Sequence, residues 1–268
     1  MDFAFSPTFS NFAYMKKLAL IMLLTALAAC VSAQDSLTLM SYNIRNAKGM
    51  DKKRDIQRIA DIISREKPDA VAIQEVDNMT LRCFKNVMKE LGKLTGMHAT
   101  FAPAINVVIG KYGIGILSRE KPISTQIIRL PGSEEKRVLL ITEFNDYYFC
   151  STHLSLTPED RMASLDIINQ YAEKSTKPFF LGGDLNARPD SELIDSMSIR
   201  FDILNDVNAH TYPSAVPDRT IDYIISWKPY AAQYSIADSR VLYEPIASDH
   251  RPIVVKIKKT TPPDDAQP

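Results

Sequence analysis

Apolar and polar positions along the chain follow two rhythms. Strands are predicted at SLTLMSYNI (36–44), where alternation gives way to a continuous run, at the buried segment DAVAIQEV (69–76), and in series at YGIGILS (112–118), STQIIRL (124–130), RVLLITEF (137–144) and YYFCSTHL (147–154). Later strands are predicted at PFFLGGDL (178–185), TIDYIISW (220–227), YAAQYSIA (230–237) and RPIVVKIK (251–258). Helical spacing governs residues 51–67, where Ile56, Ile59, Ala60, Ile62 and Ile63 share a face and Pro68 ends the run. It recurs at 81–96, closed by Gly96, at 158–174, with Pro158 in the first turn, and briefly near DSELIDSM.

Helices separated by strands, followed by strands in series, predict an α/β chain of sheets covered by helices. No linker, repeat or low-complexity block interrupts residues 34–258, so one domain is expected there, followed by a polar tail at 259–268. A chain of 268 residues is long enough to bury a large core. Lysine plus arginine and aspartate plus glutamate each total 32, so no net charge draws the chain to nucleic acid or anionic lipid. An anionic ligand must therefore be recognised at a local site.

The N-terminus predicts export. Met15-Lys16-Lys17 precedes the apolar run LALIMLLTALAA, which is too short to span a bilayer, and Met1–Tyr14 reads as an upstream extension. Two processing sites overlap after it: LAAC, whose Cys30 would carry a lipid, and Val31-Ser32-Ala33 before Gln34. Residues 1–33 are thus expected to be extension and signal peptide, and the product periplasmic, extracellular or lipoprotein-anchored. Cys83 and Cys150 remain, at no diagnostic spacing; they read as thiols, with a bridge in an oxidising compartment as the alternative.

Strand ends carry the candidate chemistry. Asn43 ends the first strand, Glu75 the second, His153 another, and Asp184 with Asn186 follow a fourth. Asp222 opens TIDYII, and Asp249-His250 precede the last strand. Singly, each has an ordinary role as a turn cap, a solvated strand end or a satisfied histidine. Their concentration at one rim points to a loop-borne site. Glu75, with Asn43 and Asp249, offers hard oxygen ligands suited to Mg²⁺, with Mn²⁺ as the alternative. No cysteine-rich or paired-histidine spacing supports a zinc site. A carboxylate such as Asp222 can hold His250 protonated against a phosphoryl oxygen or let it shuttle a proton. Asp184 beside Asn186 provides a base next to a neutral donor.

Taken in order, SYNIR, IQEVD, STHLS, GGDLNARPDS, TYPS, TIDYII and SDHRPI resemble the motifs of the endonuclease/exonuclease/phosphatase superfamily, whose fold is like that of deoxyribonuclease I. Each motif is short, but their joint order over residues 36–258 is specific. The resemblance implies a four-layer α/β sandwich: two packed, mostly antiparallel sheets flanked by helices. It places Asn43, Glu75 and Asp249 at the metal and His153 on the scissile phosphate. Asp184 would activate water, Asn186 would position phosphate, and Asp222 would hold His250. Arg82 reads equally as a phosphate contact or a surface residue, and Asn106 and Tyr112 fall where relatives contact substrate.

The expected activity is that of a divalent-metal-dependent phosphoesterase, with phosphodiester hydrolysis of a nuclease type in front. Nucleic acid is one candidate substrate, and Cys30 would provide the membrane connection. The alternatives are a phosphomonoesterase on inositol or sugar phosphates, a sphingomyelinase-like lipid phosphodiesterase, or a non-catalytic binding protein on the same scaffold. His153 in STHLS resembles the nuclease and sphingomyelinase side of the family. No side chain of the catalytic set is missing.

Overall fold

The computed structural model describes residues 36–260. The expected leader, Cys30 included, and most of the polar tail lie outside the described residues. The first sheet contains β1 (Ser36–Asn43), β2 (Ala70–Thr80), β3 (Cys83–Asn86), β4 (His98–Asn106), β5 (Lys111–Ser118), β12 (Tyr234–Val241) and β13 (Ile253–Lys259). Its order is β12-β13-β1-β2-β5-β4, with β3 paired to β2. The second contains β6 (Ser124–Leu130), β7 (Arg137–Glu143), β8 (Tyr148–His153), β9 (Phe179–Asp184), β10 (Phe201–Ile203) and β11 (Asp222–Trp227). Its order is β10-β11-β9-β8-β7-β6. Pairing is antiparallel except for β1 with β2 and β8 with β9.

Strand alternation explains the layers, because successive side chains enter different cores. Leu39, Ala70, Ala72, Phe149 and Phe180 face the layer between the sheets. Met40, Val71 and Ile73 face outward against α1 (Ile56–Glu66) and α2 (Val87–Thr95). On the other side, Cys150, Phe179 and Leu181 pack beneath α3 (Pro158–Glu173) and α4 (Glu192–Arg200). The result is the expected four-layer sandwich. The apolar stripe on α1 is buried as predicted, and Asp55 caps it by accepting from the Arg58 amide at 3.0 Å.

Several elements differ from the sequence expectation. The helix predicted over 81–96 is a short strand followed by a helix. Asn86 accepts the Lys89 amide at 3.0 Å and starts α2 there, while Cys83 pairs opposite Thr80. The strand predicted at 230–237 opens as a 3₁₀ turn over Lys228–Gln233, and β12 begins only at Tyr234. β4 contains Pro103 and lacks a clean alternation, and β10 has only three residues, so neither stands out in sequence. Both cysteines are free and buried, Cys83 in one outer core and Cys150 in the other.

Glycines bring the two sheets together at the site. A Cβ on Gly182 would lie 2.9 Å from the Cβ of Ala72 and 3.3 Å from that of Ser41, across the sheet interface. A Cβ on Gly183 would lie 2.4 Å from the Thr152 carbonyl oxygen. The GGD stretch therefore permits β9 to pack closely just before Asp184.

Candidate active site

Register aligns the second sheet's contribution. Asp184, the last residue of β9, is paired with His153 on one side and Asp222 on the other. Three adjacent strand ends thus present a histidine and two carboxylates in one row. From the first sheet, Asn43 projects from the end of β1, paired opposite Gln74.

Glu75 does not end its strand as expected. β2 continues to Thr80, and Glu75 sits at a bulge where pairing with β5 shifts between Ile73 and Val76. Its φ of +61° is unusual for a residue with a side chain. A bulge re-aims a side chain that regular alternation would send elsewhere, and the surrounding pairing holds that strained conformation in place. Asn186 likewise has a φ of +50°, which asparagine tolerates, and its amide N–H donates to Asp184 Oδ1 at 3.0 Å.

The side chains converge on Asp184. Asn43 Nδ2 donates to Asp184 Oδ2 and to Glu75 Oε1, both at 3.0 Å, and lies 3.4 Å from His250 Nε2. Asp184 Oδ2 is 3.4 Å from His153 Nε2 and 3.6 Å from His250 Nε2. On the far side of its ring, His250 Nδ1 meets Asp222 at 2.9 and 3.1 Å, and Thr211 Oγ1 donates to the same carboxylate at 2.6 Å. Ser248 Oγ donates to the Asn43 carbonyl at 2.7 Å, tying the Asp249-His250 loop to the end of β1. Asn186 Nδ2 donates to the Leu154 carbonyl at 2.9 Å.

Burial and charge separate the two histidines. For His153, loss of solvent dominates and pulls the pKa down to about 4, with Asp184 opposing and Arg137 assisting. His250 is also desolvated, but Asp222 and then Asp184 overcome that penalty and raise it to about 10. Near neutrality His153 is an uncharged imidazole and His250 an imidazolium. Burial also raises Asp184, against the pull of both histidines.

All eight residues singled out in the sequence lie in this region, although not all make the same contacts. Asp249 stands apart from Glu75 in its bonding, since Arg45 Nε pairs with Asp249 Oδ2 at 3.2 Å. Arg82 grips the buried Asp77 through three hydrogen bonds of 2.9 to 3.2 Å and lies over the Tyr112 ring. Tyr112 does line the cleft. Asn106 lines a neighbouring cavity.

The cleft, of about 540 Å³, also contains residues the sequence reading missed: Arg137, Arg188, Arg219, Glu135 and Tyr212. Arg137 is buried and held by Glu134 and Glu135 at 2.9 and 3.2 Å. Arg188 and Arg219 stand within or beside quoted motifs, so proximity to Asn186 and Asp222 was an available signal. Arg137 opens a strand, and nothing in its neighbourhood distinguishes it from a solvated strand end.

The family model for the Endonuclease/Exonuclease/phosphatase family matches residues 40–250. The chain belongs to this family. Family members are phosphoester hydrolases, and the match encloses every residue of the cluster. An endonuclease/exonuclease/phosphatase from Beutenbergia cavernae superposes with a TM-score of 0.72 at 21% identity, covering 84% of this chain and 72% of that one. A mannosyl-6-phosphatase of Bacteroides thetaiotaomicron gives 0.66 at 18% identity, covering 82% and 99%. The human Nocturnin catalytic domain, with bound sulfate, gives 0.63 at 19%, covering 86% and 97%. At these identities the likeness concerns the fold. Comparison with curated proteins yields no match.

Proposed function

We propose that this protein is an exported, Mg²⁺-dependent phosphoesterase acting chiefly on phosphodiester bonds. The observation that carries the reading is the pair of unlike histidines on Asp184, one neutral and one cationic, beside a glutamate re-aimed by a bulge. A charged His250 facing a phosphoryl oxygen would stabilise charge developing there or protonate the leaving oxygen. Asp222 keeps that ring oriented and protonated. Neutral His153 would donate an N–H to the phosphate. Asp184, its basicity increased by burial, would accept a proton from the attacking water. Asn186 uses one amide hydrogen on Leu154 and retains another for phosphate.

The donor set fits a hard cation. Glu75 and Asp249 would supply carboxylate oxygens, with no thiolate nearby among the described residues. Asn43, whose Nδ2 holds Glu75 and whose Oδ1 accepts the Arg45 amide at 3.0 Å, would position Glu75 for the ion. A bound Mg²⁺ would stabilise charge on the phosphoryl group and acidify water. Asp184, Asp222 and His250 also bring ligand atoms within 4.8 Å of one another. That trio suits a proton relay better, because His250 is held protonated and its Nδ1 faces Asp222.

A second reading has its own support. Arg188 and Arg219 line the same cleft, Arg219 paired with Asp218 at 2.6 Å, so a small phosphomonoester with a further anionic group would find a partner in Arg188. The mannosyl-6-phosphatase of similar fold makes a sugar phosphate a reasonable member of that class. Metal-loaded protein assayed against DNA, RNA, sphingomyelin and small phosphate esters separates the readings. Turnover of a diester that is abolished by chelator supports the first. A preference for small monoesters that is lost in Arg188→Ala supports the second, and undiminished turnover in excess chelator contradicts the metal in both.

A further inference from the structure

Two hairpin tips project side by side from the site end of the first sheet. β2 and β3 form one, β4 and β5 the other, and β2 pairs with β5 as far as Asn78 opposite Lys111. The turn at 107–110 rests directly on β2: a Cβ on Gly110 would meet the Met79 carbonyl oxygen at 2.2 Å, and its φ is +83°. Glycine there is what allows the two tips to touch.

The touching tips are apolar and open to solvent. Leu81 is 55% exposed, Phe84 66% and Val108 91%, and Met79 and Ile109 are each about half exposed. Neither packing nor the cleft uses these side chains. Contiguous exposed hydrophobic residues of this size mark an interaction surface. Their flanks are cationic: Lys85 and Lys111 are exposed, and Arg54 reaches the Arg82 carbonyl oxygen from the adjoining loop. No carboxylate pairs with Lys85, Lys111 or Arg54 among the described residues. Of the two acidic side chains on β2, Glu75 lines the cleft, and Asp77, nearer the tip, is buried and already neutralised by Arg82.

An apolar tip flanked by two lysines without carboxylate partners fits an anionic lipid surface better than another protein or a nucleic acid. Apolar side chains enter the headgroup boundary while lysines meet lipid charge. A nucleic acid would use the cations but leave Phe84, Val108 and Ile109 in water. Position adds to the argument. Glu75 stands four residues before Met79 on β2, roughly 13 Å along a strand, and Tyr112 directly follows Lys111. Contact at the tips would hold the cleft beside the surface.

We propose that the paired tips formed by residues 79–84 and 107–111 dock the protein onto anionic lipid bilayers. Docking does not depend on the reaction assigned to the cleft. Phe84→Trp provides a local reporter, since Trp227 is the chain's other tryptophan and is buried. In the full-length protein its emission should shift to the blue with phosphatidylglycerol-containing vesicles and be quenched by brominated acyl chains. Phosphatidylcholine alone should produce little change. Phe84→Glu combined with Val108→Glu should weaken vesicle partitioning about tenfold or more, and 0.5 M salt should weaken the wild type. Both substituted residues are exposed, so an unchanged melting temperature and unchanged turnover of a soluble phosphate ester verify folding. Vesicle binding without a change at the Phe84→Trp reporter would overturn the proposal by placing the contact elsewhere, for instance in the N-terminal apolar run. A reporter already blue-shifted without vesicles would also overturn it, because protein, from a second copy or the same chain, would then cover the tips.

Discussion

His153 and His250 stand almost equally far from Asp184, at 3.4 and 3.6 Å, and both are nearly buried, yet they differ in charge near neutrality. The difference lies in what stands behind each ring. His250 has Asp222 bonded to its second nitrogen and Asp249 next to it in sequence. Among the described residues no second carboxylate bonds to the His153 ring, and the guanidinium of Arg137 lies close enough to disfavour its charge. One shared aspartate therefore does not set the state of a buried histidine; the second neighbour decides it. The arrangement gives the cleft a cationic side at the loop before β13 and a neutral side at the end of β8.

Breaking the cationic side should have the largest effect. His250→Ala or Asp184→Asn should lower phosphodiester hydrolysis by a factor on the order of 10² or more, the usual consequence of losing a positioned acid or base. Substrate and metal binding should change much less. If His250→Ala melts early yet turns over normally per folded molecule, the Asp222–His250 pair is only a structural support. Steady-state kinetics and thermal melting on the same preparations provide that comparison.

Asp222→Asn sharpens the contrast instead of removing it. The ring remains, but its pKa should fall toward that of His153, and turnover should drop by about tenfold, within the range of a weakened general acid. Imidazole proton shifts followed through a pH titration would register the change directly. A His250 resonance that titrates unchanged in this variant would refute the assigned cause.

Glu75→Gln tests whether the site's other component is separable from the histidines. Glutamine keeps the shape but removes a formal charge from the oxygen set, so Mg²⁺ should bind more weakly by calorimetry while both histidines keep their titrations. Unaltered metal affinity would remove Glu75 from the proposed ligand set.

Stability against pH offers a further contrast, and the two histidines should act in opposite directions there. His153 has a folded pKa near 4, below the ordinary histidine value of about 6.5. Between those values the unfolded chain binds more protons, so stability falls as pH drops. For His250 the folded value is near 10, so its contribution is fully present below about 6.5 and is lost as pH rises toward 10. His153→Asn should flatten the acid side of the melting-temperature profile, and His250→Ala the alkaline side. The same flattening from both variants would contradict the opposite charge assignments.

Much of this was legible in the sequence because strand periodicity and strand-end chemistry are local. Asn43, His153 and Asp184 end β1, β8 and β9 as the pattern predicts, and Asp222 opens β11. Glu75 was legible in identity but not in setting, since nothing in AIQEVDNMT announces a bulge in a strand that continues to Thr80. The helix expected at 81–96 shows the opposite limit. Its apolar positions match helical spacing, but pairing with β2 claims Cys83–Asn86 first, and tertiary contact overrides local preference.

The sequence by itself determined the layers, the location of the site at one rim and the residue types assembled there. Alternation assigns each side chain to a core, and the close approach of β9 to the opposite sheet requires Gly182. Tertiary structure alone decided which histidine is charged, that Asp249 is paired with Arg45, and that Arg137 lies in the cleft. It also decided that Phe84 and Val108, far apart in sequence, stand on touching tips. A residue's charge and its free surface depend on neighbours brought from distant parts of the chain, and a linear pattern records only the neighbours along it.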